Sequence, residues 1–332
     1  MNPPKVSDEE YINFLIATPR ICSGTEAARV APDTPTSPPA HDAFTRLLHR
    51  LEPDAATLWR EASTQVERKR GILVIDDSTL DKPYAKKIDL VARHWSGKHH
   101  AVVEGINLIT LLWTDGDRHV PLDYRLFDKA NDSLTKNDHF QAMMKSAQER
   151  DFAPQCVVFD GWYSSLENLK TLKDFGWRWL TRLKSNRLVN PDDTGLRAVS
   201  TIETDTRGCV VHLKAYGWIR LFKIVATDGD IEWWASNDLA MSEWTRIKFA
   251  GFAWTIEQYH RGIKQFCGVE RAQVRAATAQ RNHIGLALRA FLRLESHCYH
   301  TGISWFEAKH AIIRDAVRNY LANPLYSLTS SA

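Results

Sequence analysis

Two adjacent carboxylates, Asp76 and Asp77, follow the branched apolar run Ile72 to Ile75 and precede two hydroxyls, Ser78 and Thr79. An unpartnered buried carboxylate is very costly, so these acids belong at the mouth of a strand or around a cation. A second apolar run, Cys156 to Phe159, ends at Asp160. A third acid, Glu257, lies in Trp254-Thr-Ile-Glu-Gln-Tyr-His-Arg-Gly-Ile-Lys264. On a helix, Glu257, His260, Arg261 and Lys264 share one face. Three acids delivered by two strand ends and a helix suit a hard divalent cation such as magnesium, which takes oxygen ligands and keeps several waters. Two such ions about 4 Å apart can activate a water or hydroxyl and stabilise the leaving oxygen of a phosphodiester. Taken singly, each feature has a plainer reading: an Asp-Ser turn after a strand, or a salt-bridged, solvated helix face.

The elements that must position these acids follow from the hydrophobic pattern. Ile72 to Ile75 lacks alternation, which is how a strand buried on both faces reads. Ala101 to Trp113 and Arg118 to Leu126 flank the turn Thr114-Asp-Gly-Asp117 as a hairpin. Asn137 to Arg150 has helical spacing, Ser164 or Ser165 caps a helix running to Phe175, and Trp177 to Arg182 is a further strand. Residues 80–100 read as polar and irregular. Strands at Cys209 to Ala215, Trp218 to Ala226 and Ile231 to Ser236, separated by Gly-containing turns, form an antiparallel β insertion. Helical pattern resumes from Ser242 through Gln265 and again in Asn282 to Tyr299 and Trp305 to Tyr320. Before the first strand, helices are expected at Asp8 to Ile16, Gly24 to Val30, His41 to Arg50 and Asp54 to Arg68, with a Pro-rich loop at 31–40.

These blocks resemble the DDE transposases of bacterial insertion sequences, in particular the insertion-sequence-four-like group whose core carries β strands before the catalytic Glu. The resemblance covers about residues 71 to 295. It rests on Val74-Ile-Asp-Asp-Ser-Thr79, on Val157-Val-Phe-Asp-Gly-Trp-Tyr163, and on the Glu257 block, with its Ile-Glu-x-x-His pattern and a Lys seven residues after the Glu. The family's Arg four residues before the Glu and its Tyr three before that are Ala253 and Ala250 here. The resemblance implies an α/β, ribonuclease H-like catalytic core with an antiparallel β insertion and an N-terminal helical region. It implies Asp77, with Asp76 as the alternative register, Asp160 and Glu257 as catalytic acids holding two Mg2+ ions, for which Mn2+ substitutes. It implies cleavage at transposon ends and transfer of the 3′-hydroxyl into target DNA, with a homodimer bound to double-stranded DNA. The expected DNA contacts are Lys264, Arg261, His260, Arg182 and Lys184, with Trp162 and Tyr163 as stacking rings. The rival expectations are a domesticated relative that binds DNA without cutting, and a ribonuclease H-like nuclease that cuts without joining.

Domains are expected at 1–70 (helical, a candidate helix-turn-helix for DNA ends), 71–184 with 241–300 (core), 185–240 (insertion) and 301–332 (C-terminal helix and tail). With 44% hydrophobic and 25% charged residues the composition is that of an ordinary globular protein. The absence of a membrane-length apolar run and of a leader pattern leads to the expectation of a bacterial cytoplasmic, nucleoid-associated protein. The five cysteines form no Cys-x-x-Cys pair, so neither a disulfide framework nor a zinc site is indicated. Net charge is only +3, yet Arg246 to Arg318 holds twelve Lys or Arg against five acids. Such a basic third suggests a polyanionic partner or a pair of solvated helices.

Overall fold

The computed structural model describes residues 4–32, 38–96, 100–128, 131–226 and 229–326. The chain divides into two compact units, one of Met1–Asp54, Ala85–Asp89 and Arg261–Ala332, the other of Ala55–Tyr84 and Leu90–His260. The chain opens with helices α1 (Asp8–Ala17), α2 (Gly24–Arg29) and α3 (His41–Arg50). A capping box, Ser7 with Glu10, satisfies the first free amides of α1, and Ser23 caps α2.

The larger unit begins with α4 (Ala55–Ala62), shorter than its pattern suggests. The Ser63 hydroxyl bonds back to the Arg60 carbonyl, competing with continuation of the helix. There follow β1 (Ile72–Asp81), β2 (Ala92–Ser96), β3 (Ala101–Thr114), β4 (Val120–Phe127), α5 (Lys136–Glu149), β5 (Val157–Phe159), α6 (Leu166–Asp174) and β6 (Trp179–Leu183). Then come β7 (Leu188–Asn190), β8 (Arg197–Ala198), β9 (Cys209–Leu213), β10 (Gly217–Val225), β11 (Ile231–Ser236) and α7 (Glu243–Ala253). Gly71 launches β1 at φ +68°. A Cβ there would lie 2.5 Å from the Thr114 carbonyl oxygen, so the turn requires glycine.

One mixed sheet organises this unit. Its core runs β4-β3-β1-β5-β6, antiparallel up to β1 and parallel from β1 through β6. This is the ribonuclease H-like arrangement that the sequence leads one to expect. The antiparallel insertion does not stand apart. Strand β11 pairs with β6 and extends the same sheet through β10, β9, β7 and β8. Ile72 to Ile75 are all buried, as expected of a strand covered on both faces. Strand β1, however, runs on to Asp81 along β3, and β2 pairs with the first residues of β3, so part of the stretch expected to be irregular is sheet. Helix α7 lies against β1, β5 and β6, while α5 packs on β4 and α6.

The helical run expected from Ser242 to Gln265 breaks at Trp254, and α8 (Thr255–Phe266) follows α7. In the smaller unit, α9 (Ala277–Thr301) and α10 (Trp305–Ala322) pack with α1, and α3 packs on α9. Here the basic third meets its own counter-charges. Arg289 pairs with Asp8 and Arg293 with Glu9, each at 2.7 Å. Arg314 pairs with Glu307, and Arg318 with Asp315. Lys309 is buried, and its ammonium donates to the carbonyls of Leu15, Ile16 and Phe266, tying down two helix C-termini. Among the described residues, no helix is long and apolar enough to cross a membrane.

Candidate active site

Sheet register decides which acids meet. In the parallel pair of β1 and β5, Ile75 is level with Phe159. Asp76 and Asp160 are the next residue on each chain. Strand β5 ends there, and Asp160 caps the short 3-10 turn Gly161–Tyr163, its side chain accepting from the Gly161 amide. The two aspartates of β1 are therefore not at its end, as its sequence suggests, but beside the point where β5 stops. Glu257 lies in the first turn of α8, where a helix N-terminus favours negative charge, and is exposed. Asp76 is half-buried; burial, with the negative charges of Asp77, Asp160 and Glu257, pushes its carboxyl well above the usual range. The charges of Asp160 and Glu257 thus reach Asp76, more weakly than that of its neighbour Asp77.

Asp77 has different surroundings. Successive strand residues point to opposite faces, so Asp77 projects away from the face that Asp76 occupies. Lys136 Nζ and Asn107 Nδ2 each donate to its Oδ2 at 2.7 Å, and the Tyr163 hydroxyl donates to its Oδ1 at 2.9 Å. Asn107 sits on β3 two residues from the direct partner of Asp77, Ile109, as a same-face diagonal neighbour should. Burial alone would raise the Asp77 carboxyl, but the charge of Lys136 and the three hydrogen bonds outweigh it and hold it below its ordinary value. Both carboxylate oxygens are thus engaged by protein donors. The expected first acid of the triad, Asp77, sits in a satisfied ion-pair network, while its neighbour Asp76 lies one residue past the level of Ile75 with Phe159, as Asp160 does on its own chain. Lys136, which belongs to no motif of the sequence, begins α5 directly after its N-cap Thr135, inside the capping box that Thr135 forms with Asp138.

Among the described residues, no three His, Cys, Asp or Glu side chains are gathered closely enough to share one metal ion. The donor set nevertheless fits a divalent cation in type. Asp76, Asp160 and Glu257 supply hard oxygens, and burial, reinforced by neighbouring negative charge, raises the proton affinity of Asp76. Thr110, level with Asp76 on β3, adds a buried hydroxyl oxygen without a protein partner.

The expected DNA contacts divide. Trp162 is 61% exposed, with Lys184 Nζ 5.8 Å and Lys136 Nζ 6.0 Å from its ring centre. Tyr163 is fully buried, stacked on Phe140 at 5.6 Å, and so offers no face to a base. His260 is buried as well, which removes it from a phosphate-contacting surface. Arg182 is held by Glu232 at 2.6 Å. Arg261 and Lys264 belong to the smaller unit, where Arg261 is exposed and Lys264 pairs with Glu270 at 3.1 Å.

A family model described as DDE superfamily endonuclease matches residues 26–217, a span that contains Asp76, Asp77 and Asp160 and stops short of Glu257. A comparison with curated proteins finds no match. Among solved structures, the chain is similar to the piggyBac transposase in its synaptic complex with hairpin DNA. The TM-score is 0.53 at 11% identity, over 98% of this chain and 74% of that one. That likeness is one of fold. The Mos1 transposase in its strand transfer complex aligns with 54% of this chain and 58% of that one at 12% identity, but its TM-score of 0.21 carries no structural argument. The family match spans more than half of the sequence, and with it the chain belongs to the DDE superfamily endonucleases.

Proposed function

We propose that the protein is a DNA transposase of the bacterial insertion-sequence type, cutting at transposon ends and joining the 3′-hydroxyl to target DNA. The observation that carries this reading is the register of β1 with β5, in which Ile75 is level with Phe159 so that Asp76 and Asp160 follow on adjacent chains, with the charge of Glu257 on α8 also reaching Asp76. In this reading Asp76 replaces Asp77 as the first catalytic acid, because Asp77 has both oxygens engaged by Lys136, Asn107 and Tyr163.

Asp76, Asp160 and Glu257 would hold Mg2+ or Mn2+, two ions to a site. Bound there, the ions would activate the attacking oxygen and stabilise the leaving oxygen of the phosphodiester. The chain's own contribution is placement. The level pairing of Ile75 with Phe159 supports Asp76 and Asp160 as a pair, Glu257 would join them from the first turn of α8, and the Asp77 network anchors β1 against α5 and the turn after Asp160. Double-stranded DNA, both transposon end and target, is the substrate, and a DNA-bound homodimer is the natural assembly for joining two ends.

The test is a cleavage and strand-transfer assay on the DNA flanking the protein's own gene, with Mg2+ or Mn2+ and with Asp76→Asn, Asp160→Asn and Glu257→Gln alongside. Cleavage and joining that all three substitutions abolish supports the reading. Cutting without joining indicates a plain nuclease, and specific binding without cutting indicates a domesticated binder. Full activity in the Asp160→Asn protein would sink the triad.

A further inference from the structure

Strand β3 runs beside one of the three acids and leads to another. At Thr110 it is level with Asp76 on β1. It ends at Thr114, and a turn carries the chain into β4. Side chains lock that turn. The Asp115 carboxylate accepts from the amides of Asp117 and Arg118, and from Arg118 Nε at 2.9 Å. Arg118 Nη1 donates to the Gln65 carbonyl at 3.0 Å, and its guanidinium lies 4.7 Å from the centre of the Trp113 ring.

The hairpin meets the joint between α7 and α8 at two points. Gly116, at φ +107°, lies flush against the Phe252 ring of α7; a Cβ there would come within 2.5 Å of Phe252 Cε1. His119, buried just before β4, contacts Gln258 in the first turn of α8. The amide oxygen Oε1 of Gln258 only accepts, so His119 Nε2 carries the proton and donates to it, at 3.1 Å. Gln258 directly follows Glu257. All of these residues belong to the larger unit.

Glu257 needs such support more than the other two acids. Asp76 and Asp160 each follow a residue paired across the sheet. Glu257 instead follows a helix break. Its amide and that of Gln258 both turn back to the carbonyl of Trp254, where α7 ends. Thr255 is buried, but its hydroxyl has no hydrogen-bond partner among the described residues and so does not cap the new helix. A break between helices is a pivot, and a side chain on the turn beyond it moves with any rotation there. We propose that the β3–β4 hairpin clasps this pivot, and that His119 and Gln258 are positioning residues that fix Glu257 for the divalent cation it would share with Asp76 and Asp160. The proposal rests on the reading of Glu257 as the third acid. It adds that one hairpin, rooted beside Asp76, sets where Glu257 stands.

The test is Mn2+ binding by calorimetry on the full chain, with cleavage of the DNA flanking the protein's own gene followed across a Mn2+ series. His119→Ala and Gln258→Leu should each weaken Mn2+ binding about fivefold, less than the loss expected for a partner bonded to the ligand itself. The two together should do little more than either alone. His119→Gln keeps an N–H near the Nε2 position and should recover most of the loss. Cleavage at saturating Mn2+ should stay near the wild-type rate. A purely structural role would weaken the site whether or not Glu257 is present, whereas a positioning role acts through it. In a Glu257→Gln protein, His119→Ala should therefore leave the remaining Mn2+ binding unchanged. Circular dichroism reports folding; should His119→Ala not fold, Gln258→Leu, at an exposed position, carries the test. Wild-type Mn2+ affinity in the folded variants, or an equal loss in the Glu257→Gln background, overturns the proposal. If Glu257→Gln abolishes cleavage while the His119 and Gln258 variants bind Mn2+ as wild type, the clasp alone falls. If Glu257→Gln cuts DNA and binds Mn2+ as wild type, the third acid is misassigned and the proposal falls with that reading.

Discussion

The two faces of β1 hold adjacent aspartates with opposite electrostatics. On one face Asp77 meets an ammonium, an amide and a phenol, and its carboxyl is held below its ordinary value. On the other, burial and the negative charges of Asp77, Asp160 and Glu257 push the Asp76 carboxyl well above its ordinary value. The sequence makes them equivalent neighbours; the pleat separates them. A satisfied carboxylate stabilises the fold, whereas a carboxylate crowded by like charges costs stability and is kept where chemistry needs a cation.

The strongest way to break the comparison of the two aspartates is to exchange their roles. Asp76→Asn should reduce cleavage about a thousandfold or more, since losing a metal-holding oxygen forfeits several kcal/mol of transition-state stabilisation. Its denaturant midpoint should hold or rise, because a repelled charge disappears. Asp77→Asn should do the reverse. Losing a carboxylate that accepts from Lys136 should cost about 1–3 kcal/mol of stability, with measurable cleavage retained below the lowered midpoint. Abolished cleavage in a stably folded Asp77→Asn protein, beside an active Asp76→Asn protein, would return the catalytic role to Asp77. Next in size, Lys136→Met should destabilise by a similar amount, and the double variant with Asp77→Asn by clearly less than the two effects together. Strict additivity would mean that the 2.7 Å contact contributes nothing.

The comparison also shows what the sequence could reveal. Most helices and strands of the core follow from local periodicity and caps, as with Ser165 before α6 and Ser242 before α7. Period-two alternation likewise requires Asp76 and Asp77 to face opposite ways. Which of them meets Asp160 depends on the level of Ile75 with Phe159, a pairing across more than eighty residues that no local pattern carries. Lys136 escaped for the same reason, being 59 residues from Asp77. The charge of the C-terminal third left a polyanionic partner and a pair of solvated helices both open; the acids that pair with Arg289 and Arg293 lie on α1, more than 280 residues away in the case of Arg289 and Asp8.

The finest cut through the network is Tyr163→Phe. The ring stays stacked on Phe140, and the only loss is the hydroxyl that donates to Asp77 at 2.9 Å. Lys136 and Asn107 still hold the other carboxylate oxygen, so the stability change should be about 1 kcal/mol, smaller than for Asp77→Asn. Tyr163 closes the turn that Asp160 opens, so its hydroxyl ties the backbone carrying Asp160 to the strand carrying Asp76. Releasing that tie should loosen the two acids relative to each other. The expected signature is a several-fold higher Mn2+ concentration for half-maximal cleavage and weaker Mn2+ binding by calorimetry, with the rate at saturating metal largely restored. A loss of stability with the metal requirement unchanged would show that the Asp77 face supports the fold alone, and that Asp76 and Asp160 are positioned by the sheet without it.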